Sequence, residues 1–406
     1  MNYRLLAIIL VLLAGIYQTV LDLVRSRSAN NPTPDNLADV YDAQTYAKWK
    51  EYGKDHSRLS IISDILAPGI TLTLLLSNAH SLFASIFPAN AFMQLAAVLI
   101  LEIAVSTVLE VIFSYIRVMK IEEKYGFNRS TLKTFIKDKI RGLIVEVMLS
   151  LGITTLLWGL YENLGDWIVL LFAVIVFVVS MVIIFLYPIL SRIGNTFTPL
   201  ADGELKDSLL ALLTKHGYTV KAIEVMDASR RTTKLNAYFT GFGKMKTIVL
   251  YDNLVNNMTP DEICAVFAHE LGHGLNRDVL KGQLLSLCNL FIMSLTVWGA
   301  LKLTALYTAF GFDGINYGFA YVLMSIGLGV IQPFTALLMN ARSRHAEYRA
   351  DRQAVEEGYG EALVTALKKL AKENFSHLSP SKINVLLEYS HPPLGERIDA
   401  IEKAKE

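Results

Sequence analysis

Long apolar runs dominate the chain. They are Leu5–Val24, Ile61–Phe87, Phe92–Ile116, Leu143–Tyr161, Trp167–Leu190, Gln283–Phe310 and Phe319–Met339. Each can cross roughly 30 Å of hydrocarbon as a helix. The pattern therefore predicts about seven transmembrane helices. A cleaved signal peptide is the competing reading of the first run. Only Arg4 precedes that run, however, and it continues past Tyr17, which favours a retained span.

Between the runs the basic residues are unevenly placed. Segment 25–60 carries Arg25, Arg27, Lys48, Lys50, Lys54 and Arg58. Segment 117–142 carries Arg117, Lys120, Lys124, Arg129, Lys133, Lys137, Lys139 and Arg141. Loops 88–91, 162–166 and 311–318 carry no Lys or Arg. The positive-inside rule makes the basic loops cytoplasmic, the N-terminus external and the C-terminus cytoplasmic.

Composition agrees with a membrane protein: 53% of the 406 residues are hydrophobic, too many for a soluble enzyme of this size. A formal net charge of +1 gives no case for nucleic acid, so the bilayer is the expected surroundings. Two cysteines, Cys264 and Cys288, make neither a disulfide framework nor a C-x-x-C zinc site. Four carboxylates, Asp64, Glu102, Glu110 and Glu146, fall inside apolar runs. Such groups are costly in lipid, and Glu102 with Glu110 point to polar space inside the bundle.

The chemistry is concentrated in the stretch Thr259–His273, which ends His269-Glu270-Leu271-Gly272-His273. On a helix, His269 and His273 share one face and can reach one metal ion. Glu270 stands beside them as a candidate general base toward a water molecule. Two imidazoles plus a carboxylate suit zinc. Thr259 and Glu262 make a capping box with Pro260 at the first helical position, which supports a helix here. This helix is expected to run through Asn276, Arg277 and Asp278 toward the sixth span. The metal would then sit roughly 15 Å from the membrane boundary.

Segment 196–282 reads as small and mixed. Glu204–His216 is helical in pattern, and Lys221–Met226 and Lys246–Tyr251 look like strands. Asn236-Ala237-Tyr238-Phe239-Thr240-Gly241 lies between them. It could be an exposed edge that pairs with an extended peptide, although the pattern alone favours an ordinary sheet strand.

A catalytic zinc needs a third protein ligand. Val279 stands where the pattern H-E-x-x-H-x-x-G-x-x-H would place a third His, so the ligand must lie elsewhere. Past the seventh span, Glu347 is the first choice, with His345 and Asp278 as rivals. Asp351, one turn after Glu347, could hydrogen-bond a ligand imidazole. Asp278 is a second candidate for that supporting role. Near the end, Tyr389-Ser390-His391-Pro392-Pro393-Leu394-Gly395-Glu396-Arg397 presents His391 just before two prolines, rigidly enough to stabilise an oxyanion.

Together these residues resemble the type I CAAX prenyl endopeptidases, a family of integral-membrane zinc proteases. The resemblance rests on Glu123-Lys124-Tyr125-Gly126-Phe127-Asn128, Phe197-Thr198-Pro199-Leu200 and Asn236-Ala237-Tyr238-Phe239. It rests also on Ala268–His273, Glu347-Tyr348-Arg349-Ala350-Asp351 and Ser390-His391-Pro392-Pro393. These follow in the family's order and spacing. The resemblance implies that Glu347 is the third zinc ligand and Glu270 the catalytic base. It also implies that Asn236 and His391 lie beside the metal, against substrate or transition state. Candidate substrate contacts are then Asn236, Ala237, Tyr238 and Phe239, with Arg397. The implied fold is mainly α and integral to the membrane. About seven spans would surround a polar, water-filled chamber, with a zincin-like cytoplasmic metalloprotease domain containing a small β-sheet.

The expected organisation is spans one to five in 1–195, with cytoplasmic loops 25–60 and 117–142. The first protease segment is 196–282, spans six and seven occupy 283–341, and the second protease segment is 342–406. The implied activity is hydrolysis of a peptide or protein near a prenylated C-terminus. Two other readings stand beside it: a membrane quality-control zinc protease without prenyl dependence, and, remotely, a seven-span transporter or receptor.

Overall fold

The computed structural model describes residues 2–218, 222–240 and 247–406, apart from the side chains of Val169, Leu170, Phe239 and Thr240. Among the described residues, seven helices are long and apolar enough to cross a membrane. The spanning helices are α1 (Tyr3–Ser28), α2 (Ala43–Leu76), α3 (Ala91–Ile116), α4 (Leu132–Leu164) and α5 (Ile168–Leu190). Further along come α8 (Asp278–Lys302) and α9 (Tyr317–Glu356). Each packs on the next, and α9 returns to α1, so they close a ring; α9 also touches α3 and α4. Exposed apolar side chains such as Leu13, Ile65, Met148 and Phe334 belong to these helices and need lipid as their solvent.

Several boundaries depart from the apolar runs. Ile61–Phe87 is not one helix: α2 stops at Leu76, and a separate short helix covers Ala79–Ala84. Asn78, in the left-handed region at φ 56°, makes the corner between them. The Gln283–Phe310 run also divides, because α8 ends at Lys302. In the opposite sense, α9 joins the seventh run and the Glu347 motif into one helix of 40 residues. α1 is an integral part of the fold. Its Ala7, Val11 and Leu21 are buried, Arg25 Nη2 donates to Glu388 Oε1 at 2.5 Å, and Ser28 Oγ lies 2.9 Å from His377 Nε2.

Three of the four intramembrane carboxylates, Glu102, Glu110 and Glu146, have polar company. Glu102 hydrogen-bonds buried His80, and Glu110 pairs with Lys139 of α4. Glu110 and Glu146 line a polar cleft between α3 and α4.

Outside the spans, the described residues form a four-stranded sheet with helices around it. Strands β1 (Phe197–Pro199), β2 (Ala222–Met226), β3 (Ala237–Thr240) and β4 (Thr247–Tyr251) lie in the order β1-β2-β4-β3. β2 runs parallel to β4, while β3 and β1 are antiparallel edges. Lys221, Gly241 and Lys246, expected in these strands, lie outside the described residues. Helices α6 (Glu204–Lys215), α7 (Pro260–Leu275), α10 (Gly360–Glu373), α11 (Lys382–Glu388) and α12 (Leu394–Lys405) complete the domain. Its core joins Leu209 and Leu213 of α6 to Ile248 and Leu250 of β4, and to Ile263 and Phe267 of α7.

Candidate metal centre

α7 begins as the sequence dictates. Thr259 Oγ1 accepts from the Glu262 N–H at 3.3 Å, and Glu262 Oε2 accepts from the Thr259 N–H at 2.8 Å. Lys369 secures the same carboxylate at 2.7 Å. The helix then presents His269 and His273 on one face, their rings perpendicular and 4.9 Å apart.

α9 brings Glu347 to meet them. Its Oε1 is 3.2 Å from His273 Nε2, and its Oε2 is 3.5 Å from His269 Nε2. The two histidines and Glu347 offer ligand atoms that all lie within 4.8 Å of one another. The approach depends on Gly272. A Cβ there would stand 2.9 Å from Ala350 Cα and 3.0 Å from Gln353 Cβ, so α7 and α9 touch almost backbone to backbone.

Both imidazoles are oriented from behind. His269 Nδ1 lies 2.9 Å from Asp351 Oδ1, and His273 Nδ1 lies 3.1 Å from Asp278 Oδ2. A proton held on each Nδ1 by a carboxylate leaves the Nε2 lone pairs free to converge. Asp351 sits one turn beyond Glu347, as its spacing predicted.

Asp278 arrives by a route that periodicity did not predict. On an unbroken helix it would lie five residues, and so about 140°, from His273. α7 instead stops at Leu275, and Arg277 takes the left-handed conformation at φ 54°. This break, where a continuous helix was expected, turns Asp278 back onto His273. Arg349 Nη2 then holds the other oxygen of Asp278 at 2.9 Å. His345, a rival third ligand, is exposed, and its Nδ1–H donates to the Ala341 carbonyl at 2.9 Å.

Arg397 requires a correction. Expected among the substrate contacts, it is only 8% exposed. Its Nε donates to Asp351 Oδ2 at 2.9 Å and its Nη2 to Oδ1 at 2.6 Å. It lies behind the imidazoles, where it neutralises a carboxylate that is 1% exposed.

The remaining candidates border the same place. His391 is exposed, with Nε2 3.4 Å from Glu347 Oε1. Glu270 lines a small cleft with Ala237 and Tyr238 of β3 and Val266 of α7. Burial, with Tyr187 nearby, pushes the Tyr238 hydroxyl up to about 12, so it is a neutral donor. Asn236 is exposed at the head of β3, and its Oδ1 accepts from the Ala237 N–H at 2.9 Å. Among the described residues it makes no hydrogen bond to the converging groups. Phe239 continues β3, but its side chain lies outside the described residues.

Whether a metal fits can be judged from the polar atoms. Glu347 Oε2 is buried without a hydrogen-bond partner. Arg397 Nη1 stands 3.4 Å away and offsets part of its charge, but the lone pairs of that oxygen, beside two imidazole nitrogens, stay open to a metal. Two nitrogens and one oxygen are the donor set of an open catalytic metal site. Sequence reasoning missed Arg349 and the role of Arg397. Both lie inside motifs it had singled out, but no spacing rule says which acid a distant arginine will meet.

Known proteins resemble the chain along nearly its whole length. Residues 199–405 match Peptidase family M48, and residues 23–192 match the CAAX prenyl protease N-terminal region of five membrane helices. A CAAX prenyl protease 1 homolog from Arabidopsis thaliana is 30% identical, over 95% of this chain and 94% of that one. CAAX prenyl protease 1 from Saccharomyces cerevisiae is 30% identical, over 92% of this chain and 89% of that one. The crystal structure of S. mikatae Ste24p superposes with a TM-score of 0.92 at 27% identity, covering 99% of each chain. The chain therefore belongs to Peptidase family M48 and is an integral-membrane metalloendopeptidase.

Proposed function

We propose that the metal is zinc, held by His269, His273 and Glu347, and that the substrate is the C-terminal region of a prenylated CAAX protein. The observation that carries this reading is the convergence of those three groups beside Glu270, at the edge of β3. The substrate class is taken from the relatives' names and from similarity along nearly the whole chain.

Bound zinc supplies Lewis acidity that makes water acidic near neutral pH and polarises a scissile carbonyl. The residues of the chain do the rest. An extended substrate adds to the free edge of β3, where Ala237 and Phe239 offer backbone groups and the neutral Tyr238 hydroxyl offers a donor. Asn236 fixes its register at the head of the strand. Glu270 takes the proton of the attacking water and returns it to the leaving amine. His391 donates a hydrogen bond to the developing oxyanion. Asp351 and Asp278 hold the two imidazoles in the required tautomer. The basic segments 25–60 and 117–142 support an external N-terminus, with both protease segments and the C-terminus cytoplasmic.

The test is cleavage of matched farnesylated and unfarnesylated CAAX peptides by purified protein, with and without a zinc chelator. Chelator-sensitive cleavage that needs the lipid is the expected result. Equal cleavage of both peptides would replace this substrate with general membrane proteolysis.

A further inference from the structure

The segment that carries His391 is gripped by the same helix that carries Glu347. α11 ends at Glu388, leaving carbonyls at its C-terminus that have no partner within the helix. Arg344 of α9 meets them. Its Nη1 donates to the Val385 carbonyl at 2.8 Å and the Tyr389 carbonyl at 2.7 Å, and reaches the Leu386 carbonyl at 3.5 Å. Asn340, one turn earlier on α9, donates to the Leu387 carbonyl at 2.8 Å. Arg344 makes no ion pair among the described residues, so its guanidinium is committed to these carbonyls.

His391 lies two residues beyond Tyr389. It is 62% exposed, its Nδ1 lies 2.9 Å from Ser390 Oγ within the same segment, and its Nε2 stands 3.4 Å from Glu347 Oε1. Downstream, Pro392 and Pro393 restrict the backbone and hold the residue before each of them extended. Upstream there is no such covalent restraint between α11 and His391. Arg344 supplies a hydrogen-bonded one instead, three residues before Glu347 on one helix. We propose that Arg344 is a positioning residue. It fixes the Tyr389 carbonyl relative to Glu347, and so sets the height and direction of the His391 imidazole over the metal site. The proposal rests on His391 acting in the reaction, as argued above.

A double-mutant cycle tests it, with full-length protein, a farnesylated CAAX peptide, and metal content measured on every sample. Arg344→Leu is expected to lower kcat about 100-fold, as an ångström-scale misplacement of a reacting group does. KM and metal content should stay near wild type. Arg344→Lys, which keeps a donor and the charge, should recover part of the rate. His391→Asn alone should lower kcat, and Arg344→Leu with His391→Asn should be no slower than His391→Asn. That non-additivity would show Arg344 acting through His391. If the two losses multiply, or if Arg344→Leu loses metal in step with rate, the proposal is overturned, because Arg344 then only supports the fold. If Arg344→Leu does not fold, the same cycle run with Arg344→Lys decides between these outcomes. If His391→Asn alone cleaves at the wild-type rate, the role given to His391 fails first, and with it the proposal.

Discussion

Arg397 holds Asp351 by both carboxylate oxygens, at 2.9 and 2.6 Å, while Asp351 orients His269. The pair is buried, so each charge depends on the other. Breaking such a pair from one side leaves an uncompensated buried charge, which costs about 3–5 kcal/mol. Arg397→Met is therefore expected to unfold at clearly lower temperature than wild type, and differential scanning fluorimetry of the detergent-purified protein measures this. An unchanged midpoint would mean that Asp351 finds its neutralising partner elsewhere.

The two carboxylates behind the imidazoles should govern metal retention. Asp351→Asn and Asp278→Asn are each expected to weaken metal affinity by about 10- to 100-fold, read by competition with a chelator of known affinity. The larger loss belongs to Asp351, the more deeply buried of the two. Wild-type affinity in both variants would mean that the imidazole tautomers are not set from these positions.

Gly272 should tolerate no side chain. A Cβ there meets Ala350 Cα at 2.9 Å, and backbone cannot move as a flexible side chain can. Gly272→Ala is expected to cost about 1–3 kcal/mol by overpacking. Because it pushes α7 from α9, it should also separate the two histidines from Glu347. Loss of stability together with loss of metal is the expected signature. Lower stability with full metal affinity would mean that the helices part elsewhere.

His377 makes the fold sensitive to acid far from the metal. Burial, then the Arg25 charge, lowers its pKa to about 4 from 6.5, while Ser28 and Trp49 pack beside it. The depressed group binds its proton more readily in the unfolded chain. Stability is thus complete above pH 6.5 and falls as pH drops toward 4, by up to about 3 kcal/mol. His377→Gln should flatten that part of the stability–pH profile, measured by thermal unfolding of both proteins across the range. Parallel profiles would assign the acid loss to other groups.

What was legible in the sequence follows from how local each signal is. A capping box, a proline at the first helical turn and an i,i+4 histidine pair are short-range features, and α7 appears as they predict. Long apolar runs likewise found seven spans, since hydrocarbon imposes a length. The break at Arg277 was not legible. Nothing in Asn276-Arg277-Asp278 forbids a helix, and the left-handed residue is supported by what the break achieves, the meeting of Asp278 with His273. The resemblance sets Arg397 among the substrate contacts, and no local pattern says that it will be buried against Asp351. Only the packed fold shows that Asp351 needs it. Glu347 could be chosen from among its rivals with help from the family resemblance. The approach of α9 to Gly272 is the physical reason that it, rather than exposed His345, meets the histidines.

The most direct test of the central claim is Glu270→Gln, assayed for cleavage of the farnesylated CAAX peptide with metal content measured on the same preparation. Full metal occupancy with turnover lost by at least about 100-fold is the expected result. It would separate holding the metal, which falls to His269, His273 and Glu347, from moving the proton, which falls to Glu270. Cleavage at the wild-type rate would contradict the account, because the proton would then leave the attacking water by another route.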